Sequence, residues 1–292
     1  MEIKVGFCGY FRAEVIKPNG SVIEVVPVQK NLILDQGIDN FKDAAGGLSY
    51  CHIGSGQTVP QNTQVGLETP VAVVAYKSKS DYNPTNAPYY TDTTIVFEFA
   101  AGTFIGEDLH EIGVGGSGAS SLFSRTLVKD PLGALHKINV LSDEILRVVY
   151  TLRLNIPDYD MIDVVGGYTF TARAGNSNVS TYWSLEGNGD AALTPATFNI
   201  YANASLGGIV EPMSGTSLGS FASSGSRPTT KSYRQVCTLG VDSANHANGV
   251  SGILLVSSTF RLYLKILITP AIMKTEYDQL RFEFDIAWDR AQ

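Results

Sequence analysis

A chain of 292 residues with 28 Asp and Glu against 21 Lys and Arg carries a net charge of −7 and has no run of Lys or Arg longer than two. It offers no electrostatic footprint for a nucleic-acid backbone, so direct genome binding is not expected. Nor does any stretch approach the roughly 18 uninterrupted apolar residues of a membrane span; the most apolar, Leu262–Ile272, is short and broken by Lys265. Charged residues make up only 17%, below the about one quarter of ordinary globular domains, so surface polarity rests on Ser, Thr, Asn and Gly. That suits a protein whose surface is covered by neighbours, and equally a secreted β-protein.

The opening segment Met1–Val15 contains Glu2 and no long apolar run, so it does not read as a signal peptide. Arg12–Lys17 and Ser21–Val26 flank Pro18-Asn19-Gly20, a hairpin signal because Asn and Gly tolerate positive φ. Leu32–Phe41 is the best helix candidate, short and interrupted by Gly37. Ile95, Phe97 and Phe99 alternate with polar neighbours, as strands with one buried face do. Leu127–Val128 and His136–Val140 flank a second reversal, Lys129–Gly133. Leu146, Val148, Tyr150, Leu152 and Leu154 alternate with Arg147, Thr151 and Arg153.

A boundary falls near Ile156-Pro157-Asp158, giving expected modules 1–157 and 158–292. Beyond it Tyr168, Phe170 and Ala172 alternate, and Arg173–Ser226, rich in Gly, Ser, Asn and Ala, reads as long loops or short strands. Phe260, Leu262, Leu264, Ile266 and Ile268 face one side, with Thr259, Arg261, Tyr263 and Lys265 opposite. One turn is expected around Thr275–Gln279, and Leu280, Phe282, Phe284, Ile286 and Trp288 form a last strand. Phe260–Ile268 and Leu280–Trp288 remain free to pair back with the first half. The expected fold is mostly β: antiparallel β-sandwich-type modules with long loops and little helix. FEFAAG at Phe97–Gly102 and FEFDIA at Phe282–Ala287 look alike, which shared strand patterning explains.

Candidate chemistry meets a structural reading each time. Gly113-Val114-Gly115-Gly116-Ser117-Gly118 lacks the following Lys and helix of a phosphate cradle and reads as a turn. Glu107, Asp108, His110 and Glu111 have metal-ligand chemistry without recognisable ligand spacing, and His52, His136 and His246 sit in unrelated contexts. Asp158-Tyr159-Asp160 with Asp163 lacks the glycine and terminal glutamate of a calcium loop. Ser214–Ser217 and Ser223–Ser226 are low-complexity loops with no nucleophile elbow. Three cysteines, Cys8, Cys51 and Cys237, are an odd count without C-x-x-C spacing, and are read as buried thiols of a protein made in a bacterial cytosol. Tyr82, Tyr89, Tyr90, Tyr182 and Trp183 would stack on sugars if exposed, though packing is the commoner use. No catalytic, cofactor-binding or metal-ligating residue is assigned, and no enzyme activity is expected.

Four segments, NLILDQGIDNF at Asn31–Phe41, CHIGSGQTVPQNTQVGLETPVA at Cys51–Ala72, FEFAAGTFIGEDLHEIGVG at Phe97–Gly115 and the serine-arginine-x-leucine strand and turn within Leu122–Leu154, together resemble structural proteins of tailed bacteriophages encoded among tail genes. The resemblance covers about half the chain, chiefly Asn31–Pro157. It implies a non-enzymatic virion protein of the tail, neck or collar, either tail-fibre-like or a collar component. Its expected partners are further copies of itself and other virion proteins. The alternative is a tail receptor-binding protein that recognises a bacterial surface glycan through exposed aromatics.

Overall fold

The computed structural model describes residues 2–39, 48–82, 84, 86–155, 157–175, 197–209, 211–257 and 262–291. Its first half supplies β1 (Glu2–Ile16), β2 (Val22–Ile33), helix α1 (Asp35–Asp39), β3 (Tyr50–Gly54), β4 (Pro70–Tyr82), β5 (Tyr90–Phe99), β6 (Glu111–Gly115), β7 (Leu122–Leu127) and β8 (Ile145–Asn155). These eight strands close into an antiparallel barrel, in the order β1-β2-β7-β6-β3-β4-β5-β8 and back to β1. Closure was not anticipated from the sequence. It comes from the pairing of β1 with β8, from Gly6↔Asn155 to Ile16↔Ile145, between segments far apart in the chain.

Period-two patterning explains the barrel wall. Across β1, β8 and β5 the register aligns Val15, Leu146 and Phe99; then Ala13, Val148 and Phe97; then Phe11, Tyr150 and Ile95. All nine side chains are buried on one face. The intervening rows carry the opposite chemistry: Arg147 lies 2.9 Å from Glu98 and 3.2 Å from Glu14, and Arg153 makes two 2.7 Å hydrogen bonds to Asp92. Cross-strand ion pairs of this kind on a half-exposed face add modestly to sheet stability.

Pro18-Asn19-Gly20 makes the expected reversal: Gly20 has φ 82°, and Asn19 Oδ1 accepts from the Ser21 N–H at 3.0 Å. At the second reversal Gly133 has φ 84° and Asp130 Oδ1 accepts from Leu132 and Ala134 N–H, both at 2.9 Å. Beyond it His136–Val140 forms no strand, only a bridge between Ile138 and Leu109. The expected helix shrinks to α1, because Leu32 and Ile33 belong to β2 and pair with β7.

The second half supplies β9 (Met161–Val165), β10 (Tyr168–Ala174), β11 (Thr197–Ser205), β12 (Ser214–Ala222), β13 (Ser224–Thr229), β14 (Ser232–Leu239), β15 (Val250–Ser257), β16 (Leu262–Ile272) and β17 (Leu280–Arg290). Six of them form an antiparallel sheet, β12-β11-β15-β16-β10-β9, while β13, β14 and β17 extend the barrel sheet. Sheet membership therefore crosses the division expected at 157/158. Within the stretch expected as long loops or short strands, β11, β12 and β13 are strands. Of the two C-terminal segments, Leu280–Trp288 does return to the first half. β17 pairs in parallel with β1, from Glu2↔Asp285 to Phe7↔Arg290, whereas β16 pairs with β10 and β15.

The return is anchored at α1. Trp288 Nε1 donates to Ile38 O at 2.9 Å, Arg290 Nε donates to Ile33 O at 2.6 Å, and Thr230 Oγ1 donates to Asp39 Oδ1 at 3.0 Å. The six-stranded sheet meets β17 through Phe198 and Phe284, whose ring centroids lie 5.9 Å apart, and one apolar core runs through both sheets.

Gly9 marks the tightest approach inside the barrel. A Cβ there would lie 1.9 Å from Asn31 Oδ1 and 2.7 Å from the Tyr150 hydroxyl. Both atoms are buried, and burial pushes the Tyr150 hydroxyl pKa up to about 12. Gly9→Ala therefore overpacks the wall and is expected to cost about 1–3 kcal/mol, read as a lowered urea midpoint with an unchanged m-value.

Candidate functional site: a buried ion pair beneath a polar loop

On β6, Ile112 and Val114 are buried apolar residues of the core, so alternation turns Glu111, Gly113 and Gly115 to the opposite face. Arg125 of β7 lies opposite Gly113, and Gly54 of β3 lies opposite Glu111. That face would be wet but for the connection between β3 and β4, residues 55–69, which lies over it. Glu111 and Arg125 consequently have fully buried side chains, 2.7 Å apart.

A buried charge is tolerated only when its hydrogen-bonding capacity is met, and here the loop meets it. Glu111 accepts from the N–H groups of Gly56 at 3.1 Å, Glu68 at 3.1 Å and Thr69 at 2.8 Å, and from Arg125 Nε at 2.8 Å. Arg125 donates onward to Gln64 Oε1 at 2.5 Å and Thr58 O at 3.2 Å. Glu68 closes the loop on itself by accepting from Gln57 N–H, Thr58 N–H and the Thr58 hydroxyl, each at 2.8 Å. The bonds from Thr58 hold the Glu68 carboxyl below the usual carboxylate range.

The glycines flanking Ser55 are part of this construction. A Cβ on Gly54 or on Gly56 would come within 2.5 Å of Glu111 Oε1, so the carboxylate occupies the space a side chain would need. The loop's far end is tied to α1 and β7: Asp35 N–H donates to Asn62 O at 2.8 Å, and Gln36 Nε2 donates to Val65 O at 2.9 Å and Leu122 O at 2.6 Å.

The sequence candidates fall in separate places. Gly113 and Gly115 are strand residues packed under Leu122 and Ser121, and only Gly116–Ser121 forms the turn, with no helix after it. Asp108 pairs with Lys137 at 2.8 Å, and a His110 ring nitrogen meets His136 O at 3.0 Å. Among the described residues no group of three or more His, Cys, Asp or Glu could hold a metal ion. Asp160 makes two 2.7 Å hydrogen bonds with Arg173, while Asp163 Oδ1 accepts from Val164 N–H at 2.9 Å. Ser214–Ser217 lies within β12 and Ser224–Ser226 within β13, strands rather than the expected loops. Cys8, Cys51 and Cys237 are free and buried, and burial pushes the Cys237 thiol up to about 11. Tyr82 is exposed beside Tyr90, whose ring lies 3.6 Å from the Arg153 guanidinium carbon; Tyr89 is half-buried, and Tyr182 and Trp183 lie outside the described residues.

Lys265 departs most from expectation. Alternation assigns it to a polar face, yet it is 1% exposed. Its ammonium donates to Glu211 O at 2.7 Å and to Gly208 O, and its cross-strand neighbour Arg173 donates to Gly207 O. Burial, reinforced by the Arg173 charge, pushes its pKa down to about 8.

Two outcomes are expected. Arg125→Met strands the Glu111 carboxylate and costs about 3–5 kcal/mol. Arg125→Met/Glu111→Met is not restored, because three loop N–H groups lose their acceptor; chemical denaturation of both variants checks this. For Lys265, the folded chain binds the proton less tightly than the unfolded chain, where lysine titrates near ~10.4. Its contribution therefore makes stability rise as pH climbs from about 8 toward the unfolded value. Lys265→Met removes that rise, as denaturation at paired pH values would reveal. Comparison of the chain with protein-family models, curated proteins and solved structures finds no match.

Proposed function

We propose that the chain is a non-enzymatic structural subunit of a tailed-phage virion, from the tail, neck or collar, that assembles with copies of itself and with other virion proteins. The observation that carries this reading is where the four resembling segments fall. Asn31–Phe41 contributes Asp35 and Gln36, Cys51–Ala72 contributes the loop with Gly54, Gly56, Gln64 and Glu68, Phe97–Gly115 contributes Glu111, and Leu122–Leu154 contributes Arg125. Residues from all four hold one loop against one wall of the barrel. A likeness spread over separate segments gains weight when those segments supply interdependent parts of a single structural element. The reading also takes the six-stranded sheet and the β14-β17 region as a β-sandwich joined through Phe198 and Phe284. Closed cyclic symmetry suits a subunit placed around a tail axis.

Antibodies raised against the purified chain are expected to label the phage particles at the tail, neck or collar, and light scattering is expected to give a closed oligomer. A monomer that labels no particle overturns the reading. The glycan-recognition alternative draws on Tyr82, which is 59% exposed next to Tyr90. There, Tyr82→Ala would reduce host adsorption without changing the oligomer, and unchanged adsorption removes the motive for it.

A further inference from the structure

An unpaired polar atom in a core is costly, so the inward rows of a barrel are apolar wherever no partner is at hand. Three inward positions of this barrel break that pattern, and they fall together. Tyr150 is the one residue with a polar side-chain atom in the row Leu146, Val148, Tyr150, Leu152 and Leu154 of β8. Ser124 of β7 lies opposite Val114 of β6 and Ile33 of β2, both core residues, and Asn31 precedes Ile33 by two on the same face of β2. Tyr150 and Ser124 are both 0% exposed.

Asn31 Oδ1, Ser124 Oγ and the Tyr150 hydroxyl are all buried, and none has a hydrogen-bond partner among the described residues. They are nevertheless neighbours. A Cβ on Gly9, the residue of β1 opposite Asn31, would strike both Asn31 Oδ1 and the Tyr150 hydroxyl. Burial raises the pKa of that hydroxyl to about 12, while the Ser124 and Asn31 side chains act in the opposite sense, so both stand beside it. What the three lack is the length or angle of a direct bond.

The three groups also define what would complete them. An amide oxygen only accepts, while each hydroxyl has one proton to give and lone pairs to receive. A cation would remain uncompensated, since none of the three is charged. An anion would face the amide oxygen, and an apolar guest would leave every group unpaired. We propose that the barrel interior holds one water molecule in a site bounded by Asn31 Oδ1, Ser124 Oγ and the Tyr150 hydroxyl. The water donates to Asn31 Oδ1 and links the two hydroxyls, which gives it roughly the three hydrogen bonds usual for buried water. It joins β8 to β2 and β7 across β1, at the place where Gly9 carries no side chain. The inference does not rest on the virion reading.

The test uses the full chain and counts internal waters by oxygen-17 relaxation dispersion of the solvent, which detects waters held for longer than the protein tumbles. Ser124→Ala/Tyr150→Phe removes both hydroxyls with little change in volume and leaves the site a single partner. It is expected to lose one long-lived water relative to the unsubstituted chain, with circular dichroism confirming that it is folded. An unchanged count in the folded variant overturns the proposal. A crystal structure of the unsubstituted chain at atomic resolution is expected to show a water within about 3 Å of all three atoms, and it decides the matter if the variant does not fold. A Tyr150 hydroxyl bonded directly to Asn31 or Ser124, with no water between them, overturns the proposal there.

Discussion

A carboxylate with no solvent contact must find its hydrogen-bond donors within the protein, and Glu111 finds them on both sides of itself. Arg125 approaches along the sheet, and three N–H groups descend from the loop above. Neither set would serve alone. Without the loop the pair would be a surface ion pair worth little; without the pair the loop would have no partner for those N–H groups. The requirement extends to backbone choice, since Gly54 and Gly56 leave room for the carboxylate. One wall of the barrel thus becomes two layers thick, with a charged seam between them.

β1 plays the corresponding part for the architecture. Along one edge it pairs with β8 from Gly6 to Ile16; along the other it pairs with β17 at its beginning and β2 at its end. A single strand therefore closes the barrel, receives the returning C-terminal strand and brings Phe282 and Phe284 against the six-stranded sheet. The buried core runs unbroken through all three regions. The Trp288 indole, which donates to the Ile38 carbonyl in α1, ties that return to the helix.

How much of this was legible follows from what alternation can report. It marks strands whose two faces differ, so β5, β8, β10, β16 and β17 were found, as was the hairpin at Asn19-Gly20. Alternation says nothing about which strands meet, so barrel closure through β1 and β8 was invisible. Nor does it say what lies over the polar face. Lys265 was placed opposite an apolar face, but the loop that buries it comes from elsewhere in the chain, and Arg125 was given no face at all. β12 and β13 were left undecided between loop and short strand, and their Ser-rich runs were read as loops, because Gly and Ser leave no side-chain periodicity to detect. Of the ion-pair site, Glu111 was weighed only as a metal ligand, and the glycines around Ser55 entered only as part of the resembling segment Cys51–Ala72. The available signal was an arginine in an apolar strand, a glutamate entering another, and glycines spaced one residue apart.

The parallel pairing of β1 with β17 carries a consequence for how the molecule is made. Glu2 pairs with Asp285, so almost the whole length of the sequence separates the two sides of that ladder. Contacts of such separation form late, because the loop-closure entropy must be met before they return anything. On a ribosome, β2 through β8 can emerge and associate while the first residues of β1 still lack their neighbour. During that interval the chain carries a half-paired strand and exposed apolar surface, the circumstances in which nascent proteins misassociate. The last strand covers the beginning of β1, and a chain interrupted before Leu280 keeps that edge open.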